Sequence, residues 1–237
     1  MARSSFDVSG IIAPLWAIFW GGLFCWIDYG IFYNTPAIAI NIEDVFNDLL
    51  GMTSLTWGIF RLRRINIDDY NWKMVVVSIV AGTLWLQTLF FTFGVLIPSG
   101  WVAAVVNPIL NLAQLTALLL LCMAMTHLCE VARLHASVKW WQLLSFIALF
   151  FSLAPFSILL LLSLLASVSI ISSDIVQAIL DFLGTPMVVL ASLFVLLFLF
   201  STLITRNEAR KFIARPAAEG EGDEYTYFFD EEEEQEG

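Results

Sequence analysis

Long apolar runs, separated by loops whose charge alternates in sign, constrain this chain more than any other feature of its 237 residues. Val75–Ile97, Leu143–Ile171 and Met187–Ile204 each approach or exceed the ~18–20 residues needed to cross a hydrocarbon core of about 30 Å. The chain is 59% hydrophobic and 14% charged, far more apolar than the roughly 45–50% of a soluble domain. One helical bundle in lipid therefore uses up its length. The predicted fold class is all-α: a polytopic membrane helix bundle of six transmembrane helices arranged as three hairpins, with both termini cytoplasmic.

The threading starts with Arg3 inside and runs through six predicted helices over about Ile11–Tyr33, Val45–Leu62, Met74–Ile97, Val102–Val131, Trp140–Ile171 and Ile175–Ile204. Arg3 ahead of an apolar stretch could pass for a secretory signal. The run Trp16, Trp20, Trp26, Tyr29 and Tyr33 offers no small-residue cleavage site, so this is expected to be a retained first helix. Arg61, Arg63, Arg64 and Lys73 follow the second helix, Arg133, His135 and Lys139 the fourth, and Arg206, Arg210, Lys211 and Arg215 the sixth. Every Lys and Arg thus falls on one side, as cytoplasmic loops require. The other side holds only acids: Asp28, Glu43, Asp44, Asp48, Asp174 and Asp181. Residues 1–10 are the cytoplasmic N-terminus, 11–205 the membrane domain, 206–218 a basic juxtamembrane segment and 219–237 a disordered acidic tail. The expected location is the cell (inner) membrane.

Pro155 predicts a kink in the fifth helix and Pro186 a break in the sixth. Trp72, Trp101, Trp140 and Trp141 fall where interfacial rings sit, and Trp57 and Trp85 read as packing residues. Cys122 and Cys129 lie seven residues apart on one helix, roughly 10 Å of rise, which is too far to pair.

Asn47-Asp48-Leu49-Leu50-Gly51, Asn107-Pro108-Ile109-Leu110-Asn111 and Leu180-Asp181-Phe182-Leu183-Gly184 recur at the outer starts of the even-numbered helices, through convergent capping or a true repeat. Asp or Asn there complements the positive helix end, and Gly lets a neighbouring helix approach. The stretch Asn41–Gly51, followed by Trp57-Gly58-Ile59-Phe60-Arg61-Leu62-Arg63-Arg64, resembles a pattern in small uncharacterised multi-pass bacterial membrane proteins. In those, an Asp-x-x-Gly helix start precedes a Gly-then-Leu/Arg exit. The resemblance covers a small part of the chain, lacks a Pro before the Asp, and implies a bacterial-type membrane topology with no particular activity.

The fourth helix carries a polar line, because Asn107, Asn111, Gln114, Leu118, Cys122, Thr126 and Cys129 share one helical face. Gln87 reaches a similar depth on the antiparallel third helix, so Gln87 and Gln114 are expected to hydrogen-bond. They would act as interhelical glue worth about 0.6 kcal/mol or as part of a polar pathway. Asp28, Asp48 and Asp181 form an outer acidic rim that reads as helix caps or as a cation site. His127, Cys129, Glu130, Arg133 and His135 crowd the inner end of the fourth helix, but His127 and Cys129 point to different faces. Glu130 and Arg133 read as an ordinary three-apart ion pair. No catalytic residues, cofactor or metal are expected, since the G-x-S-x-G, H-E-x-x-H, Walker and dinucleotide patterns are absent.

The tail 219–237 holds ten acids, no bases and the insert Tyr225-Thr226-Tyr227-Phe228-Phe229, a composition that cannot fold alone. It is expected to dock on Arg61, Arg63, Arg64 and Arg206–Arg215, to bind a cytoplasmic protein, or to remain a solvated spacer. The first functional expectation is a non-enzymatic accessory, assembly or scaffold subunit whose partners are the bilayer and a protein held by the tail, with no nucleic acid. The alternative is a small transporter or channel whose route is lined by Gln87, Asn107, Asn111 and Gln114. A cavity reaching both Gln87 and Gln114 would favour transport, and a dry, packed centre would favour the scaffold.

Overall fold

The structure is a computed structural model that describes residues 8–31, 41–92, 101–167 and 172–214. A 3-10 turn, Val8–Ile11, leads into α1 (Ile12–Ile31). Next come α2 (Asn41–Leu62), α3 (Tyr70–Thr92), α4 (Trp101–Val131), α5 (His135–Ile147), α6 (Ala154–Ser167) and α7 (Ser173–Ala214), with no strand among the described residues. Arg3, the turn Pro98-Ser99-Gly100, Arg215 and the tail lie outside these residues, as do the side chains of Asp28, Glu43, Asp44, Asn47 and Trp101.

Five segments are long and apolar enough to cross a membrane: Val8–Trp26, Tyr70–Phe90, Val106–Val131, His135–Leu165 and Val189–Ala214. In such segments each backbone N–H must find its carbonyl within the helix. Side-chain hydroxyls follow the same rule: Ser78, Thr83, Thr88, Thr116, Thr126 and Ser145 each donate to the carbonyl four residues earlier in their own helix. The remaining rod, α2, has 22 residues, about 33 Å at 1.5 Å per residue. It begins at Asn41, four residues earlier than the predicted start at Val45.

Each rod packs on its sequence neighbours, and α7 packs back on α1, so the helices close into a ring. The α1–α2 seam is built on glycine. A methyl group on Gly21 would lie 2.5 Å from the Leu55 backbone nitrogen and 2.6 Å from the Gly51 carbonyl oxygen. One on Gly58 would lie 2.7 Å from the Pro14 carbonyl oxygen. Ser54 Oγ donates across the same seam to the Ala17 carbonyl at 2.9 Å.

Both short connections at one end of the ring use left-handed residues other than glycine. Arg133, at φ 57°, ends α4. Its N–H reaches the Glu130 carbonyl at 3.1 Å and the Leu134 N–H reaches the Cys129 carbonyl at 2.8 Å, the paired bonds that close a helix C-terminus. The expected Glu130–Arg133 ion pair is therefore corrected: leaving the helical register breaks the three-apart geometry, and Glu130 lies instead 3.8 Å from His127 Nδ1. Between α2 and α3, Asp69 has φ 61°. Its carboxylate accepts from Lys73 Nζ at 2.7 Å and Trp72 Nε1 at 2.9 Å. The Lys73 bond, reinforced by that from Trp72, holds the Asp69 carboxyl below the usual carboxylate range. A depressed folded-state pKa contributes stability above the ordinary carboxylate pKa and loses it as pH falls through the folded value. Asp69→Asn should flatten the acid limb of a pH–stability curve and leave stability at neutral pH lower than that of the parent.

The long fifth predicted helix becomes α5 and α6 joined by a π turn, Ala148–Leu153. Pro155 lacks the N–H that would bond to Phe151, and the chain meets that defect with a wider turn. Pro186 does not break the last helix. α7 runs unbroken through it for 42 residues, because only one donor is lost and membrane-type helices tolerate this. α7 also continues past Ile204 to Ala214, so Arg206, Arg210 and Lys211 are helical.

Trp141 is corrected from an interfacial ring to a core residue. It is 1% exposed, with Nε1 donating to Thr205 Oγ1 at 2.8 Å and Phe198 packed edge-on at 5.6 Å. Burial is tolerated because the indole N–H has a partner. Trp57, expected to pack, is instead 45% exposed, with the Arg61 guanidinium 5.2 Å above its ring.

Candidate functional site

The two ends of the ring differ in charge and in filling. Contacts gather every described Lys and Arg at one end: His127 Nε2 lies 3.1 Å from the Asp68 carbonyl, and Arg206 stacks on Trp16 at 3.9 Å. Glu208 joins α7 to the start of α5. It accepts the N–H groups of Ala136 and Ser137 at 3.1 and 2.9 Å and the Ser137 hydroxyl at 2.5 Å. Nothing local caps α5, since Leu134 at its N-cap makes no side-chain bond, so Glu208 satisfies donors the helix start leaves open. Glu208→Ala should cost about 1–3 kcal/mol through orphaned donors, read as a lower midpoint in thermal unfolding of the detergent-solubilised protein, with Glu208→Gln recovering part of the loss.

The inner side of this basic end is packed solid by Leu62, Met74, Val77, Leu121, Cys122 and Leu128, all buried. At the opposite end the same helices separate around a cavity of about 470 Å³. Its walls come from α1 (Cys25), α2 (Asp48, Met52), α3 (Leu84, Gln87, Thr88) and α4 (Asn107, Leu110, Asn111, Gln114). The four amides expected from sequence thus meet in one place. Asn107, Asn111 and Gln114 follow the four-and-three spacing of one face of α4, and Gln87 stands opposite on α3. Among the described residues no hydrogen bond joins Gln87 to Gln114. That expectation is corrected because the cavity opens between the two side chains. Farther along the same face of α4 the character changes: Cys122 and Cys129 are fully buried and free, and Thr126 donates to the Cys122 carbonyl at 2.9 Å.

Of the acidic rim, Asp48 and Asp181 have described side chains, and Asp28 lies outside them. Asp48 lines the cavity, whereas Asp181 is not among the lining residues and accepts a bond from Gln177 Nε2 at 2.9 Å on its own helix. Among the described residues no group of three His, Cys, Asp or Glu side chains is placed to hold a metal. Of the inner-end cluster, His127 is turned toward the Asp68 carbonyl and Cys129 into the core.

Sequence reasoning placed Asp48 at the outer rim but missed Cys25 and Met52 beside it in the cavity wall. Gly51 was the available signal. It sits against Cys25, with a methyl there only 2.6 Å from Sγ, and so fixes which faces of α1 and α2 meet beside the polar line.

The chemistry of the lining is hydrogen bonding with weak negative charge. The amides supply both donors and acceptors. Thr88 Oγ1 donates to the Leu84 carbonyl at 3.0 Å and keeps its lone pairs. Asp48 is the charged residue among the lining groups. Unpartnered amides facing hydrocarbon would be costly, so the space suits water or a polar solute. A volume of about 470 Å³ lies within the ~300–1,000 Å³ typical of small-molecule pockets. Comparison of the chain with protein-family models, with curated proteins and with solved structures finds no match.

Proposed function

We propose that this chain is a small polytopic membrane transporter or channel that binds a neutral or monocationic polar solute in the amide-lined cavity. The observation that carries this reading is the convergence of Gln87, Asn107, Asn111 and Gln114 on one cavity among α1–α4. Four amides turned toward one cavity suit a solvated polar route, whereas a packed scaffold would place apolar side chains there. The accessory-subunit reading rests on the tail, which lies outside the described residues. In this proposal α2 is the sixth crossing and the basic end faces the cytoplasm, as the retention of Lys and Arg on the side of synthesis requires. The cavity then opens outward, with Asp48 favouring cations over anions. The packed core from Leu121 to Leu128 forms the inner seal, so the arrangement corresponds to the outward half of an alternating route.

Uptake into vesicles containing the purified protein tests this reading, with glycerol and urea as neutral probes and methylammonium as the cation. Asn111→Leu combined with Gln114→Leu should lower entry of the accepted probe about tenfold or more, the effect of losing one or two hydrogen bonds. Vesicles with the parent protein that admit none of these probes faster than empty vesicles would remove the transport reading.

A further inference from the structure

A second concavity of about 510 Å³ lies on the outer side of α5 at the basic end, lined by His135, Ala136, Lys139, Trp140 and Leu143. His135, Lys139 and Leu143 recur every four residues and stack along one side of the helix. Phe146 and Phe150, each 53% exposed, continue that side. Trp140 forms a fixed wall because its ring packs edge-on against Phe200 of α7 at 5.1 Å. His135 and Lys139 are exposed, and among the described residues neither forms an ion pair. Glu208 is bonded to the α5 backbone, Asp69 to Lys73, and Glu130 lies beside His127.

Depth identifies the occupant. The apolar span His135–Leu165 has 31 residues, about 46 Å of helix against a hydrocarbon core of about 30 Å. Its first turns therefore lie in the headgroup layer, while Leu143, Phe146 and Phe150 reach into the acyl region. We propose that this groove binds one anionic phospholipid, with its phosphate against Lys139 and the His135 ring N–H and an acyl chain along Leu143, Phe146 and Phe150. The competing negative group is the tail, whose ten acids follow α7 in sequence. Carboxylates are excluded from the apolar lower part of the groove, whereas a lipid matches the groove from cationic top to apolar base. The site is separate from the amide-lined cavity and does not depend on transport.

The test uses the full chain in nanodiscs of phosphatidylcholine doped with phosphatidylglycerol, with retained lipids counted by native mass spectrometry. The parent should retain phosphatidylglycerol in preference to phosphatidylcholine. His135→Gln combined with Lys139→Gln should weaken that preference about tenfold, Lys139→Glu should abolish it, and Lys139→Arg should keep it. Thermal unfolding in pure phosphatidylcholine should be the same for all, since the substituted side chains are exposed. Equal phosphatidylglycerol retention by the parent and the double Gln variant would overturn the proposal. So would a rise in retention when the ten tail acids of the full chain are exchanged for Gln and Asn, which would assign the groove to the tail.

Discussion

Replacing Gly21 with alanine should destabilise the folded bundle by about 3 kcal/mol, the upper part of the range for overpacked sites. The added methyl would meet the Leu55 nitrogen at 2.5 Å and the Gly51 oxygen at 2.6 Å. Both are backbone atoms on a facing helix, and no side-chain rotation relieves the clash, so α1 and α2 must move apart along their whole seam. Gly51→Ala should behave alike through Cys25 and the Gly21 carbonyl. Gly82→Ala is the matched control. Its nearest neighbour would be 3.8 Å away, and the gain in helix propensity should stabilise by about 0.5–1 kcal/mol. Denaturant unfolding in detergent, followed by circular dichroism, separates the two outcomes. A Gly21→Ala protein as stable as the Gly82→Ala protein would mean that the seam is looser than the geometry states.

Trp141→Ala should cost about 3–5 kcal/mol, the usual range for truncating a large buried aromatic side chain. The ring joins α5 to α7 through Thr205 and Phe198, so its removal opens a cavity in the buried core and takes away the indole N–H that Thr205 accepts. Trp141→Phe keeps most of the volume and loses one hydrogen bond, and should cost about 1 kcal/mol. Unfolding midpoints for the two variants should differ clearly. Equal midpoints would place the ring's contribution in the indole N–H alone.

The rods, their order and the sorting of cations to one end were legible in the sequence, because apolar length and Lys/Arg position report directly on insertion. The polar face of α4 was legible for the same reason: Asn107, Asn111 and Gln114 repeat at helical spacing in an otherwise apolar run. Boundaries were not. Apolarity marks where lipid begins, whereas hydrogen bonding marks where a helix ends, and charged turns such as Asn41–Asp44 and Arg206–Lys211 continue α2 and α7 beyond the greasy part. Long-range satisfaction was invisible too. Glu208 looks like one more charge in a basic segment until Ser137, 71 residues away, is placed beside it. Trp141 likewise reads as an interfacial ring because its partner Thr205 cannot be seen from its own neighbourhood. Arg133 hides a helix end behind a residue type that seldom adopts a positive φ.

The closed ring of helices has a consequence for biogenesis. Its final seam joins α1 to α7, with Arg206 on Trp16, and about 140 residues separate the two helices in the chain. At roughly 5–20 residues per second, α1 waits about seven to thirty seconds for its last neighbour. The glycine-bound hairpin with α2 must therefore shelter half of α1 while translation continues. The other half, carrying Trp16, stays open to whatever insertion machinery or chaperone attends the nascent chain.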